Sequence, residues 1–172
     1  MAESIILAGG CFWCLDSAYR NISGILNVTS GYIGGITKNP DYNAVCSGQT
    51  GHAEAIKIEF DEKLISFEKI LFYFFKLHNP TTLNRQGADV GTQYRSAIFY
   101  NNDNIKNTAE QIIQNLTKNA IFNDPIVTSI EKAEIFYPAE DYHQNYFAKN
   151  PENAYCQAVI APKLKQFYDQ YT

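Results

Sequence analysis

Residues 9–14 read Gly-Gly-Cys-Phe-Trp-Cys. A thiol that follows two glycines at the end of a short apolar strand stands where a helix is about to begin. Unpaired backbone N–H groups and the positive end of the helix dipole favour a thiolate there, and the thiolate is the nucleophilic form. The glycines let the backbone pass close and leave the sulfur of Cys11 accessible. Phe12 and Trp13 fit ordinary core residues, but beside a nucleophile at least one of them can line a slot for an apolar group. The spacing Cys11-x-x-Cys14 also suits disulfide exchange or half of a zinc site.

Glu54 is the second informative residue. "AEAIKIEF" alternates strictly, so Glu54 shares a strand face with Ile56, Ile58 and Phe60. A lone carboxylate on a core face takes up a proton, and a carboxylic acid that stays protonated near neutral pH is a general acid. The alternative is that residue 54 begins the strand and remains in solvent. Tyr42 and Tyr94 lie in two stretches rich in Gly, Asn, Pro and Thr, residues 31–53 and 78–95, which read as long functional loops. Their phenols can donate to a developing oxyanion, although with 12 tyrosines in the chain amphipathic packing is the default. Asp89 has the bland alternative of a turn residue. His52, His78 and His143 lack the spacing of a helical zinc motif. Only one C-x-x-C exists, with Cys46 and Cys156 standing alone, so no metal is expected.

These groups need elements to hold them. "SIILA" reads as a buried strand ending at Gly9-Gly10, followed by a helix from Cys11 to about Arg20. Phe67, Ile70, Leu71, Phe74 and Phe75 make an amphipathic helix with Ser66 as N-cap, stopped at Asn79-Pro80. "SAIFYN" is a strand. Ile105, Ala109, Ile112, Ile113 and Leu116 form another helix face. "PIVTSIEKAEIFY" holds one or two strands, and Leu164, Phe167, Tyr168 and Tyr171 mark a terminal helix. "VTSGYIGG" and "EAIKIEF" are close enough to pair antiparallel. The fold class is α+β, a two-layer sandwich of a sheet and the helices packed on it.

The 172 residues, 45% hydrophobic and 19% charged, suit one domain over 1–172. A net charge of −4 does not favour nucleic acid. No apolar run approaches membrane-spanning length, and the N-terminus lacks a basic region and a long apolar stretch, so a cytoplasmic protein is expected. In that setting four cysteines point to catalysis or redox chemistry rather than to a disulfide framework.

Four motifs in order, "GCFWC", "TGHAE", "QGADVGTQYRS" and "YPAEDYHQNYF", resemble the peptide methionine sulfoxide reductases of type A. The resemblance spans about residues 5–160. It implies a ferredoxin-like βαβ-type core and reduction of the S epimer of methionine sulfoxide, free or in oxidised proteins. The electrons would come from thioredoxin, with no cofactor. Position by position it implies Cys11 as the nucleophile that becomes a sulfenic acid and Glu54 as the acid that protonates the sulfoxide oxygen. Tyr42 and Tyr94 would hydrogen-bond that oxygen, and Asp89 would order the site. Phe12 and Trp13 would hold the substrate methyl. Cys156, in "NAYCQA", would be the resolving thiol ahead of Cys14, with Cys46 a bystander. The chain departs from the pattern at Cys14, where Gly is common, at "QGAD" for "QGND" and at "HNPTT" for "DPT". No Gly-rich cysteine tail follows Cys156, so a three-thiol relay is not expected; with no obvious exposed apolar stripe in the sequence, a monomer is expected. Two other readings stand beside this one: a thioredoxin-like thiol–disulfide oxidoreductase using Cys11 and Cys14, and a zinc-stabilised binding module.

Overall fold

The computed structural model describes residues 2–171. Strand β1 (Ala2–Ala8) runs into helix α1 (Phe12–Arg20), then β2 (Ile25–Ile33), a short helix α2 (Tyr42–Cys46), β3 (Ala53–Asp61) and α3 (Phe67–Leu77). A two-residue hairpin, β4 (Arg85–Gln86) and β5 (Asp89–Val90), precedes β6 (Ala97–Tyr100) and α4 (Asp103–Lys118). Strands β7 (Ser129–Lys132) and β8 (Tyr137–Pro138), helix α5 (Tyr146–Lys149), a π turn over Cys156–Ile160 and α6 (Ala161–Tyr171) complete the chain. The sheet order is β7-β6-β1-β3-β2-β8. Its central four strands come from two interleaved β-α-β units, β1-α1-β2 and β3-α3-β6, which is the ferredoxin-like arrangement. All pairings are antiparallel except β6 with β7.

Alternation sorts the side chains onto the two faces. Ile5, Leu7, Val28, Ile56, Ile58 and Ile98 point to the helical layer and form the main core with Phe12, Leu15, Ile70, Phe74 and Phe167. Ile6, Ala8, Ile33, Ala53, Ala55 and Phe99 form a smaller core on the other face, covered by Ala133 and Phe136. Ser66 caps α3, its hydroxyl accepting the Lys69 N–H at 3.1 Å.

The stretches 31–53 and 78–95 are less loop-like than their composition suggests. The first begins inside β2 and contains α2, which Asp41 caps by accepting the Ala44 N–H at 2.7 Å. The second holds the β4–β5 hairpin and a 3₁₀ turn at Thr92–Tyr94. Tyr42 and Tyr94 therefore sit on short helical turns. At the strand-to-helix turn, Gly10 has φ +84, and a Cβ there would meet Gln86 at 2.7 Å; a Cβ on Gly9 would meet the His78 ring at 2.9 Å.

Asp16 ties three segments together. Fully buried, it accepts Arg20 Nε–H at 2.7 Å, the Ser30 hydroxyl at 3.1 Å and the Asn145 N–H at 3.0 Å. Helix α1, strand β2 and the segment before α5 thus share one carboxylate. Asp16→Ala leaves those donors unpaired in the core and is expected to lower unfolding stability by about 2–3 kcal/mol. Urea denaturation of the variant checks this, with the transition midpoint falling at unchanged slope.

Candidate active site

The site forms where β1 gives way to α1. Cys11 is the N-cap of α1, with extended backbone (φ −65, ψ 127) and no side-chain cap. The orphan donors of the helix start are met from another strand. Glu54, on the helix-facing side of β3 and 1% exposed, accepts the Phe12 N–H at 3.2 Å. Alternation thus located Glu54 correctly, and the solvent alternative falls away. Burial pushes its acid up from 4.5 to about 8; the Asp89 charge adds to this, and the Phe12 N–H partly offsets it.

The thiol of Cys11 is not an easy thiolate. Burial and then the nearby Glu54 carboxylate push it well above its ordinary value, with smaller contributions from Cys14 and Asp89, against the pull of the Trp13 N–H. The helix-start argument alone points the other way. The dipole contributes about 0.3–1 kcal/mol, which desolvation beside an acidic group outweighs here. The two groups titrate as a pair: the thiolate is favoured when Glu54 holds its proton.

Around them stand the aromatic residues. Phe12 is fully buried and packs on Tyr32 and His143, ring centroids 5.7 and 5.2 Å away, so it backs the site from behind. Trp13 is half-buried. Its ring stacks on Tyr146 at 3.7 Å and 5°, its indole N–H donates to His143 Nδ1 at 3.0 Å, and Tyr155 meets it edge-on at 6.1 Å. The Tyr42 N–H donates to Glu140 at 3.0 Å, and the Tyr42 ring lies 4.4 Å from His143. Burial, contact with Cys46 and the Glu54 charge raise the Tyr42 phenol. Tyr94 accepts the Gly10 N–H on its carbonyl at 3.2 Å, which pins the glycine turn. Its phenol is raised by burial, then by Glu54, Cys46, Asp89 and Cys11. Asp89 accepts the Tyr155 hydroxyl at 2.6 Å.

The structure thus gathers Cys11, Glu54, Tyr94 and Asp89 by mutual electrostatic influence, with Tyr42 reaching Glu54 and Cys46. Cys46 lies beside the cluster, not apart from it. Cys14 is buried one turn along α1, its thiol raised by burial and pulled down by Lys163. Cys156 opens the π turn, fully buried, and its N–H donates to Asn153 at 3.2 Å. It belongs to a packed turn. All four cysteines are free thiols.

Several supports escaped the sequence reading. Glu140 accepts both the Tyr42 N–H and the Tyr32 hydroxyl, the latter at 2.9 Å. His143 is 1% exposed and fixes the Trp13 indole. Tyr155 links Asp89 to Trp13. All three lie in short irregular elements with no periodicity to mark them; only the motif "YPAEDYHQNYF" drew attention to the first two.

Linkage gives the pH behaviour of Glu54. Between its unfolded value and about 8, the folded state holds a proton that the unfolded chain has lost. Stability is therefore complete below about 4.5 and falls as pH rises through about 8. Relative to Glu54→Gln, the wild type is expected to lose about 1.4 kcal/mol per pH unit across that window. Denaturation of both proteins from pH 5 to 9 measures the difference, and a flat difference contradicts the burial of an acid at position 54.

Comparison with known proteins agrees with the geometry. The family described as peptide methionine sulfoxide reductase matches residues 3–172. A peptide methionine sulfoxide reductase MsrA of Polynucleobacter asymbioticus is 54% identical over 165 residues, covering 96% of this chain and 87% of the relative. The crystal structure of reduced Mxr1 from Saccharomyces cerevisiae superposes with a TM-score of 0.81 at 36% identity, over 90% of this chain and 89% of that one. Mxr1 in complex with Trx2 aligns at 0.58 and 26% identity, over 84% of each.

Proposed function

The chain belongs to the peptide methionine sulfoxide reductase family, and from that premise we propose that it reduces the S epimer of methionine sulfoxide, free or in proteins, at Cys11. One observation carries the reading: a buried carboxyl, protonated near neutral pH, hydrogen-bonded at the first turn of the helix that Cys11 caps. A sulfoxide sulfur accepts a nucleophile when its oxygen is protonated or strongly hydrogen-bonded, so thiol, acid and phenols must converge on one point.

In this scheme the Cys11 thiolate attacks the sulfoxide sulfur while Glu54 gives its proton to the oxygen. Tyr42 and Tyr94 donate hydrogen bonds to that oxygen, and Asp89 holds the Tyr155–Trp13 wall in place. The exposed part of Trp13, with Phe12 behind, takes the methyl group. The oxygen passes to Cys11, the thioether leaves, and the balance is one thiol and one sulfoxide giving one sulfenic acid and one methionine. A second thiol then condenses with the sulfenic acid to a disulfide and water, and thioredoxin supplies two electrons to restore both thiols. Yeast Mxr1 bound to Trx2 supports thioredoxin as reductant. Among the described residues no helix is long and apolar enough to cross a membrane. We propose a monomer of one catalytic domain working in the cytoplasm, where thioredoxin is at hand and its four thiols stay reduced.

Single-turnover assays without reductant test the scheme. Cys11→Ser is expected to form no methionine. Glu54→Gln is expected to slow methionine formation by roughly 10²–10⁴. The wild-type rate should fall as pH rises through about 8, where Glu54 gives up its proton. Methionine from Cys11→Ser, or a Glu54→Gln rate within about twofold of wild type, contradicts the roles.

Cys156 is the proposed resolving thiol. Its neighbour Tyr155 reaches the site through Asp89 and Trp13, and in this proposal the buried π turn rearranges to let Cys156 meet Cys11. Cys14, at i+3 on a helix that Glu54 braces, starts about 5–6 Å away between Cβ atoms, against the roughly 3.8 Å a disulfide needs. Peptide mapping after one turnover is expected to recover Cys11 linked to Cys156. A Cys11–Cys14 peptide with Cys156 free gives the role to Cys14.

A further inference from the structure

Beside the catalytic turn runs a cleft that the chemistry above does not use. The C-terminal end of α3, helix α6 and residues 121–124 enclose about 560 Å³. Its near wall, formed by His78 and Gln86, backs the glycine turn that leads to Cys11. His78 packs on Gly9 and Gln86 on Gly10, one residue from Cys11. Gln86 is rigidly set, accepting the Asn79 N–H at 2.7 Å and donating to the Asn79 carbonyl at 2.9 Å. Farther along, the cleft adjoins an apolar trough of about 340 Å³ between α3 and α4. Phe72 and Ile121, 41% and 51% exposed, line that trough with Leu116 and Phe122.

The charges in the cleft are unbalanced. Lys76 and Lys163 line it against one carboxylate, Asp124. Neither lysine forms an ion pair: among the described residues the salt bridges are Arg20–Asp16 and Arg95–Glu131. Lys76 rests over the rings of Phe72 and Tyr171 at 5.5 and 5.8 Å. Lys163 is half-buried and close enough to act on Cys14 and His78. His78 is itself neutral, its ring lowered to about 3 by burial and bonded to the Phe74 carbonyl and the Ser96 hydroxyl. The amides of Asn79, Asn123, Gln166 and Gln170 line the same space and can pair with a peptide backbone.

We propose that this groove binds the polypeptide flanking an oxidised methionine. An acidic residue of the substrate sits between Lys76 and Lys163, and an apolar one lies in the trough beyond. The proposal rests on the reading of Cys11 as the centre that reduces methionine sulfoxide. Contact of the cleft wall with the glycine turn before Cys11 makes the substrate chain the occupant, and the two unpaired lysines make its favoured side chain acidic. Such contacts lie away from the reacting atoms and are equal in ground and transition states, so they act on KM. One partly exposed ion pair sets the scale at about threefold to fivefold.

The test uses capped heptapeptides with a central methionine S-sulfoxide and either Glu or Lys placed two to four residues to each side, together with free methionine S-sulfoxide. Single-turnover assays without thioredoxin give the reductase step alone. The wild type is expected to favour Glu peptides over Lys peptides by about threefold to fivefold, through KM and less so at high salt. Lys76→Gln/Lys163→Gln should erase the preference and Lys163→Glu should turn it toward Lys peptides, with free methionine sulfoxide reduced at the wild-type rate throughout. Equal rates for both peptides in the wild type, or a preference that survives the double variant, overturn the proposal. Equal slowing of peptides and free amino acid overturns it too, since the lysines then act through Cys14 or His78. If single-turnover rates of the double variant match wild type and only multiple turnover with thioredoxin added is slowed, the groove belongs to the reductant instead. Wild type that reduces neither peptides nor the free amino acid refutes the catalytic reading itself.

Discussion

A single hydrogen bond from one layer to the other organises this molecule: the Phe12 N–H to the buried Glu54 carboxyl. It requires β3 to hold its register beside β1, with Leu7 opposite Ile56, so that position 54 faces the helices. A slip of one residue would turn Glu54 to the small-residue face with Ala53 and Ala55, and Cys11 would lose its acid. The bond also braces the first turn of α1, which has no side-chain cap of its own. Register, helix start and acid–base chemistry are therefore one constraint.

That constraint carries a cost in the ground state. Burying a carboxyl next to a thiol raises both, so neither ionises freely at neutral pH. The arrangement tolerates one negative charge at a time. In the proposed step the Cys11 thiolate loses its charge in bonding to the sulfoxide sulfur as Glu54 gives up its proton, so the site never holds two negative charges. Discrimination against stray electrophiles follows, because a resting thiol is a poor nucleophile.

Much of this was legible in the sequence. Period-two alternation in "AEAIKIEF" placed Glu54 on the core face, and helical spacing at Phe67–Phe75 and Ile105–Leu116 gave α3 and α4. These signals survive because one face of each element is buried against a continuous core. What stayed hidden follows from the same physics. Glu140 caps a three-residue 3₁₀ turn, His143 ends that turn, and Tyr155 is the residue before a π turn, each element too short to show a period. Their positions are fixed by partners about a hundred residues away, such as Tyr42 for Glu140. The thiolate expectation for Cys11 failed for a related reason: the helix dipole is a local property visible in sequence, whereas the burial and the Glu54 charge that oppose it are tertiary.

The Asp16–Asn145 contact spans 129 positions of the chain and bears on how the protein is made. During synthesis Cys11 leaves the ribosome early, Glu54 later, and the Tyr146 and Tyr155 walls nearly last. Glu54 needs only β1, α1 and β3 to reach the turn at Cys11, but until the later segment docks on Asp16 and packs on Trp13 the thiol lacks its aromatic wall. A chain broken before Tyr146 therefore keeps Cys11 and Glu54 but not the ring that stacks on Trp13. The aromatic wall is thus the last part of the site to be assembled.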